Sequence, residues 1–167
     1  MANPISFTVT KDTLSPSLAR LAALGKNPTP VMRAMGRKFQ TITKSTFNSS
    51  GAGNRPTPWP TKSDGNASNL RKTGTLFQSI NLDQVTATSA RVSTGVKYAR
   101  IHQLGGEIVP KSAPYLCFRI GDRFVKTKKV TMPARPFFPV VNGQLTPSAE
   151  EQIRKAGERV IEKQAGE

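Results

Sequence analysis

Apolar residues recur with a helical period towards both ends of the chain and with a strand period in its middle. Glycine- and proline-rich stretches separate the two regimes. Phe7 and Val9 among threonines predict a short first strand. Leu14 to Leu24 predicts a helix, with Ser15 as N-cap, Pro16 in the first helical position and Gly25 as its stop. Leu14, Leu18 and Leu21 share one side of it. A longer helix is predicted from about Pro30 to Phe47, capped by Thr29. Val31, Met35, Phe39 and Ile42 line one face, with Met32 at its edge, and Arg33, Arg37 and Lys44 fall on the opposite face. Asn48 to Asn69 is rich in Ser, Gly, Pro and Asn and reads as a long loop carrying Trp59.

Asn69 to Ile80 predicts a helix turn or short helix, with Leu70, Leu76, Phe77 and Ile80 as its apolar contacts and Gly74 permitting close approach. Gln84 to Ser93 alternates as a strand whose hairpin returns at Val96. Tyr98, Ile101 and Leu104 recur at helical spacing. They predict two turns of helix with one buried edge, stopped by Gly105-Gly106, and His102 and Gln103 lie off that edge. Ile108-Val109 is a candidate edge strand. Tyr115 to Ile120 and Arg123 to Val130 flank Gly121-Asp122, a turn suited to a type II′ hairpin. Leu116, Phe118 and Ile120 face one side of its first arm, and Tyr115, Cys117 and Arg119 the other; Cys117 reads as a buried or half-buried thiol. Lys126, Lys128 and Lys129 crowd the second arm, so the hairpin reads as projecting and basic. A last helix runs from Pro147 to Gln164, capped by Thr146, with the stripe Ala149, Ile153, Ala156, Val160 and a Glu151–Lys155 pair.

These elements predict one α+β domain over residues 1–167. An antiparallel sheet carries a long N-terminal-half helix and a C-terminal helix packed on it, with long loops and a projecting β-hairpin. Residues 1–29 form an N-terminal arm and short helix, 48–69 the long loop, and 108–138 the projecting hairpin region. An apolar content of 36%, with 13 Gly and 13 Pro, suits such a loop-rich fold. No apolar run is long enough for a membrane span, and no signal-peptide pattern opens the chain. A single cysteine excludes an internal disulfide.

Charge changes the picture more than composition does. The net charge is +15 and uneven: residues 1–149 carry 21 Lys and Arg against 5 carboxylates, and residues 150–167 carry 4 against 5. No carboxylate lies between Asp12 and Asp64. Such a chain needs a polyanion or an acidic protein beside it. Chemistry is sparse by contrast. His102 is the one histidine, and only Glu107 is near it in sequence, so no triad, acid–base pair or metal set assembles around it. It reads as a polar residue that fixes its short helix by hydrogen bonds. Gly51-Ala-Gly53 and Arg71-Lys-Thr73 both lack the glycine pattern of a phosphate loop. No catalytic residue, metal or cofactor is expected.

Four motifs carry a resemblance. They are Arg55-Pro-Thr-Pro-Trp-Pro60, Leu70 to Ile80 (LRKTGTLFQSI), Tyr98 to Gly106 (YARIHQLGG) and Met132 to Phe138 (MPARPFF). In this order they resemble the bacteriophage virion-morphogenesis or tail-completion (neck) family over roughly residues 30 to 160, with Leu104 where the family often has an aromatic. The resemblance implies a structural ring subunit, hexameric, at the head-proximal end of the tail, required for tail completion and head–tail joining. Its implied partners are copies of itself, tail terminator or tube proteins and head-connector proteins, with transient nonspecific contact to packaged DNA. Its implied place is the virion, after assembly in the bacterial host cytoplasm. On this reading Trp59, His102, Gln103, Arg135, Phe137, Phe138, Lys126, Lys128 and Lys129 are candidates for subunit or partner contacts, and Arg33, Arg37 and Lys44 for the DNA channel. Two readings of Trp59 stand, a lid over its own core and an anchor for a neighbour. Arg135, stiffened between Pro133 and Pro136, is predicted to bond carbonyls or a carboxylate, within the subunit or across an interface. Charge alone supports a different class, a nonspecific nucleic-acid-binding protein.

Overall fold

A computed structural model describes residues 14–62, 65, 68 and 70–166, the side chains of 49–51 excepted; the strand expected at Phe7 and Val9 lies outside them. Helix α2 (Thr29–Ser45) is the wall that the other elements share. Helix α5 (Pro147–Gly166) packs along one side of it, and the hairpin β1 (Ile80–Val85) with β2 (Ala90–Thr94) along the other. Both contacts are close because a glycine sits in each. A Cβ at Gly157 of α5 would lie 3.1 Å from Met35, and one at Gly36 of α2 would lie 2.7 Å from Leu82 and 2.8 Å from Ala90. The predicted apolar face of α2 thus meets α5: Ile42, Ala149 and Ile153 form one buried cluster, with Met35, Phe39 and Leu145 packed on it. The second side of α2, marked in sequence by little more than Gly36 and Thr43, is buried as well.

Helix α1 (Leu14–Lys26) rests on α5, where Arg20 Nε donates to the Gln164 carbonyl at 3.0 Å. The expected Leu14/Leu18/Leu21 stripe is only partly used: Leu14 and Leu18 are exposed, and Leu21 and Leu24 are half-buried. Ser15 lies within α1 by these bounds. Two expected caps also differ. Thr29 sits inside α2, and its N–H is met by Asn27 Oδ1 at 3.3 Å. Thr146 supplies its carbonyl to Glu150 N–H, while its hydroxyl has no described partner. The Glu151–Lys155 pair forms at 2.8 Å.

The class is α+β, as expected, but no single sheet exists among the described residues. The strands make four separate antiparallel pairs: β1–β2, β3 (Gly106–Ile108) with β6 (Val130–Met132), β4 (Leu116–Ile120) with β5 (Arg123–Thr127), and β7 (Val140–Val141) with β8 (Gln144–Leu145). Short strands and the prolines at 110, 114, 133, 136 and 139 keep the ladders from joining. Helix α5 therefore docks on α2 rather than on strands.

Gln84 to Ser93 is not one strand. It is the end of β1, a turn and most of β2, with a register shift between Leu82 and Gln84. Thr86 and Ser89 close the turn through their hydroxyls and backbone, so their apparent alternation was turn chemistry. The second arm of the basic hairpin ends at Thr127, and Val130 belongs to β6 instead. Gly121 takes φ +58 in the hairpin turn. Cys117 is exposed, on the same side of β4 as the exposed Arg119. The β7–β8 pair was not foreseen, although Asn142-Gly143, both at positive φ (50 and 81), is a hairpin signal legible in the sequence.

Replacing Gly36 by Val is expected to push the β1–β2 hairpin off α2 and to destabilise the chain by about 1–3 kcal/mol, read from chemical denaturation. Gly25→Ala, where nothing lies within 4 Å, should leave stability unchanged or slightly raised.

Candidate functional site

The motif Met132 to Phe138 leaves its strand after Met132, passes through exposed Pro133 and Ala134, and then turns into the core. Arg135, Pro136, Phe137 and Pro139 are buried, and Phe137 is 1% exposed. Buried backbone must find hydrogen bonds. Prolines at 136 and 139 remove two N–H groups from the account. The remaining groups are met from other segments. Arg135 N–H donates to the His102 carbonyl at 2.6 Å. Gln103 Oε1 accepts from Phe137 N–H at 3.0 Å and Phe138 N–H at 2.9 Å, and Gln103 Nε2 donates to the Phe138 carbonyl at 3.3 Å. Trp59 Nε1 donates to the Pro136 carbonyl at 2.8 Å, and Thr46 Oγ1 to that of Phe137 at 3.0 Å. Thr146 N–H reaches the Pro139 carbonyl at 2.9 Å.

Gln103 explains why helix α4 (Ala99–Leu104) is turned from its expected orientation. Tyr98 and Leu104, expected on a buried edge, are exposed; Ala99 is buried and Gln103 reaches inward. A two-turn helix has one inner face, and the amide that satisfies residues 137–138 occupies it. Gly105 follows at φ +69, where a Cβ would lie 2.8 Å from Ala134 N, so glycine is required by close approach as well as by the helix stop.

Arg135, 7% exposed, aims back at the loop after Trp59: Nε donates to the Pro60 carbonyl at 3.2 Å and Nη2 to that of Thr61 at 3.1 Å. The predicted carbonyl bonds are therefore made inside the subunit. Trp59 takes the lid position. Its ring packs edge-on against Phe47 at 5.8 Å, and the Arg55 guanidinium lies 4.0 Å from its centre on the outside. Phe47, Leu76, Ile80, Ala99 and Phe137 form the core beneath, with Trp59, Leu70, Phe77 and Phe138 packed on it. All four motifs meet here. Phe138 lines an open apolar cleft of ≈ 400 Å³ with Val92, Val96 and Leu104.

His102 is half-buried, with Tyr98 edge-on at 5.6 Å and its Nδ1 without a described partner. Its expected stabilising role falls to its carbonyl rather than its ring. Burial, then the neighbouring Arg135 guanidinium, push its pKa below the ordinary value. No group of three or more His, Cys, Asp or Glu that could hold a metal occurs among the described residues, and no described helix is long and apolar enough to cross a membrane.

The lysines of 126–129 do not form one cluster. Lys126 lies over the Tyr115 ring at 4.3 Å, Lys129 pairs with Glu107 at 2.8 Å outside the hairpin, and Lys128 is exposed. The α2 stripe divides too. Arg33 and Arg37 are exposed beside Asp83 at the rim of β1, whereas Lys44 leans over the Phe77 ring at 5.6 Å, joined there by Arg71 at 4.4 Å. The importance of Arg55, Arg71 and Asn48 escaped the sequence reading. The signal was available as arginines flanking the Trp59 and Phe77 segments.

Arg135→Ala should leave the Pro60 and Thr61 carbonyls without their donor and loosen the lid. The loss expected is about 1–3 kcal/mol, with emission from the single Trp, Trp59, shifting towards that of a solvated indole. His102 yields a pH prediction. Its folded pKa lies below the unfolded value of 6.5, so the unfolded chain binds more protons as pH falls through that value. This contribution to stability is complete above 6.5 and is lost as pH falls towards the folded pKa. The drop in urea midpoint between about pH 7.5 and about pH 5.5 should be smaller in His102→Gln than in the parent.

A model of the phage virion morphogenesis family matches residues 9–162. Comparisons with curated proteins and with solved structures each found no match. The matched span takes in all four motifs and the core where they meet. On that ground the chain belongs to the phage virion morphogenesis family.

Proposed function

We propose that the chain is a structural ring subunit at the head-proximal end of the phage tail, required to complete the tail and join it to the head. The observation that carries this is the β4–β5 hairpin. None of its residues is buried, Phe124 at its tip is 68% exposed, and Ile120 is exposed beside it. Cross-strand pairing sets Arg119 opposite Phe124 and Ile120 opposite Arg123. A two-stranded hairpin without a covering layer has little stability of its own, so this arm fits a role completed by a neighbour. The apolar cleft by Phe138 and the exposed Leu104 are further surface for such contacts. The neighbours we propose are copies of this chain in a ring, hexameric by family resemblance, together with tail-tube or terminator and head-connector proteins. The role is one of assembly, within the virion, and needs no catalytic group.

The test is Phe124→Ser with Ile120→Ser. The folded subunit should keep its Trp59 emission and its midpoint of unfolding, since neither side chain is buried. Ring formation, read by sedimentation, should fall at least tenfold in concentration dependence, and joined infectious particles should fall with a rise in free tails or heads. Normal particle counts from this variant would refute the assembly role of the arm.

A further inference from the structure

We infer that the open cleft beside Phe138 receives the tip of the β4–β5 arm from a second copy of this chain, so that subunits join head to tail. The inference rests on the assembly role proposed for the arm and names the arm's partner and its seat.

Arm and cleft match in size and in apolar character. Val92, Val96, Ala99, Phe137 and Phe138 line the cleft, and Leu104, 65% exposed, stands beside them. Rings in the wall suit an aromatic guest, which packs against them edge-on or offset. An apolar cavity of about 150 Å³ is enough to hold benzene. The ≈ 400 Å³ here has room for the Phe124 ring together with the adjoining turn. No residue of 116–127 lines the cleft of its own chain, so arm and seat are different surfaces. A contact between different surfaces is heterologous, and its repetition closes into a ring when the rotation allows. Five residues in each strand give the arm a span of about 17 Å, enough to cross a subunit boundary.

Charge selects the same guest. Lys97 and Arg100 are exposed at the cleft, and neither makes an ion pair or side-chain hydrogen bond among the described residues. They call for a carboxylate. Asp122 is the one carboxylate of the hairpin; it is exposed at the turn, two residues from Phe124, and has no described partner either. Other carboxylates are engaged within the chain: Glu107 with Lys129, Glu151 with Arg154 and Lys155, Glu158 with Arg154. Glu150 and Glu162 lie on α5, a helix without an aromatic residue. The arm also brings Arg119 and Arg123. Ser93, on the β2 side of the cleft, donates to the exposed Asp83 carboxylate, which offers these arginines an acceptor. Exposed pairs of this kind add little affinity singly, but they fix which way round the tip enters.

The neighbouring clefts suit Phe124 less well. Those beside α1 and α2 are lined by no aromatic ring. The cleft around His102 is lined by Lys62, Lys72 and Arg135.

The experiment is sedimentation of the isolated full chain over a range of concentrations, with Trp59 emission and the unfolding midpoint reporting that each variant is folded. Leu104→Glu blocks the seat, and Phe124→Ser blunts the arm. Each alone should raise the concentration needed for assembly at least tenfold. Mixed, the two variants should form a one-to-one dimer and nothing larger, because the pair holds one working arm and one working seat. Charge reversal gives a second reading that uses exposed residues only, and so stands even if Leu104→Glu does not fold. Asp122→Lys should weaken assembly, as should Lys97→Asp/Arg100→Asp, and a chain carrying all three changes should recover it. Parent-like assembly by folded Leu104→Glu, a mixture that stays monomeric, or a triple variant that recovers nothing would overturn the seat. Loss in Phe124→Ser with parent-like assembly in both seat variants would move the arm to another tail or head protein and leave the assembly role standing. A parent chain that stays monomeric at every concentration would overturn the self-contact, and particle counts from Phe124→Ser/Ile120→Ser would still judge the assembly role.

Discussion

Residues 135–139 enter the core with no ladder to join, and the elements around them are placed by the need to satisfy that backbone. Two prolines reduce the demand, and Gln103, Trp59, Thr46, Thr146 and the His102 carbonyl meet the rest. These partners come from four segments, His102 and Gln103 sharing α4, so the segments are held to one another through it. An unpaired buried backbone group costs about 1–3 kcal/mol, more than most single surface contacts contribute. This explains why a polar side chain, Gln103, rather than the apolar edge of α4, points to the interior. It also explains how an arginine can be buried: Arg135 returns the favour to the Trp59 loop, donating to two carbonyls that would otherwise face solvent alone.

The same economy sets what is rigid and what is free. Helix α2 is covered on two sides through glycine contacts, and the aromatic cluster around Phe47 and Phe137 closes its C-terminal end. Beyond that body the chain spends its remaining apolar side chains outside: Phe124, Ile120, Leu104 and Val109 are all exposed. A firm base with an uncovered arm is what an assembly subunit requires, since the arm's stability can then come from its neighbour. Membership of a virion morphogenesis family and this distribution of burial point the same way.

The charge of +15 is divided among distinct settings rather than spread as one field. Arg154 is held between Glu151 and Glu158, and Lys129 meets Glu107. Arg135 is consumed by carbonyls, and Arg55 and Arg71 by Asn48 and by rings. Exposed pairs on α5 add little to stability because solvent and salt screen them.

Local information in the sequence determined the helices, the hairpin at Gly121-Asp122, the stop at Gly105-Gly106 and the α+β class, because periodicity and turn chemistry act over a few residues. It determined as well that Arg135, between two prolines, would bond carbonyls or a carboxylate. Tertiary structure decided what depends on distant partners. It turned α4 so that Gln103 faced residues 137–138, and left Leu104 and Cys117 in solvent. It moved Val130 from the hairpin to β6, and split Arg33 and Arg37 from Lys44. The helical wheel fixes only the direction of a side chain about its own axis. Which direction is inward is decided by the buried backbone that must be satisfied there, and that backbone arrives from more than thirty residues away.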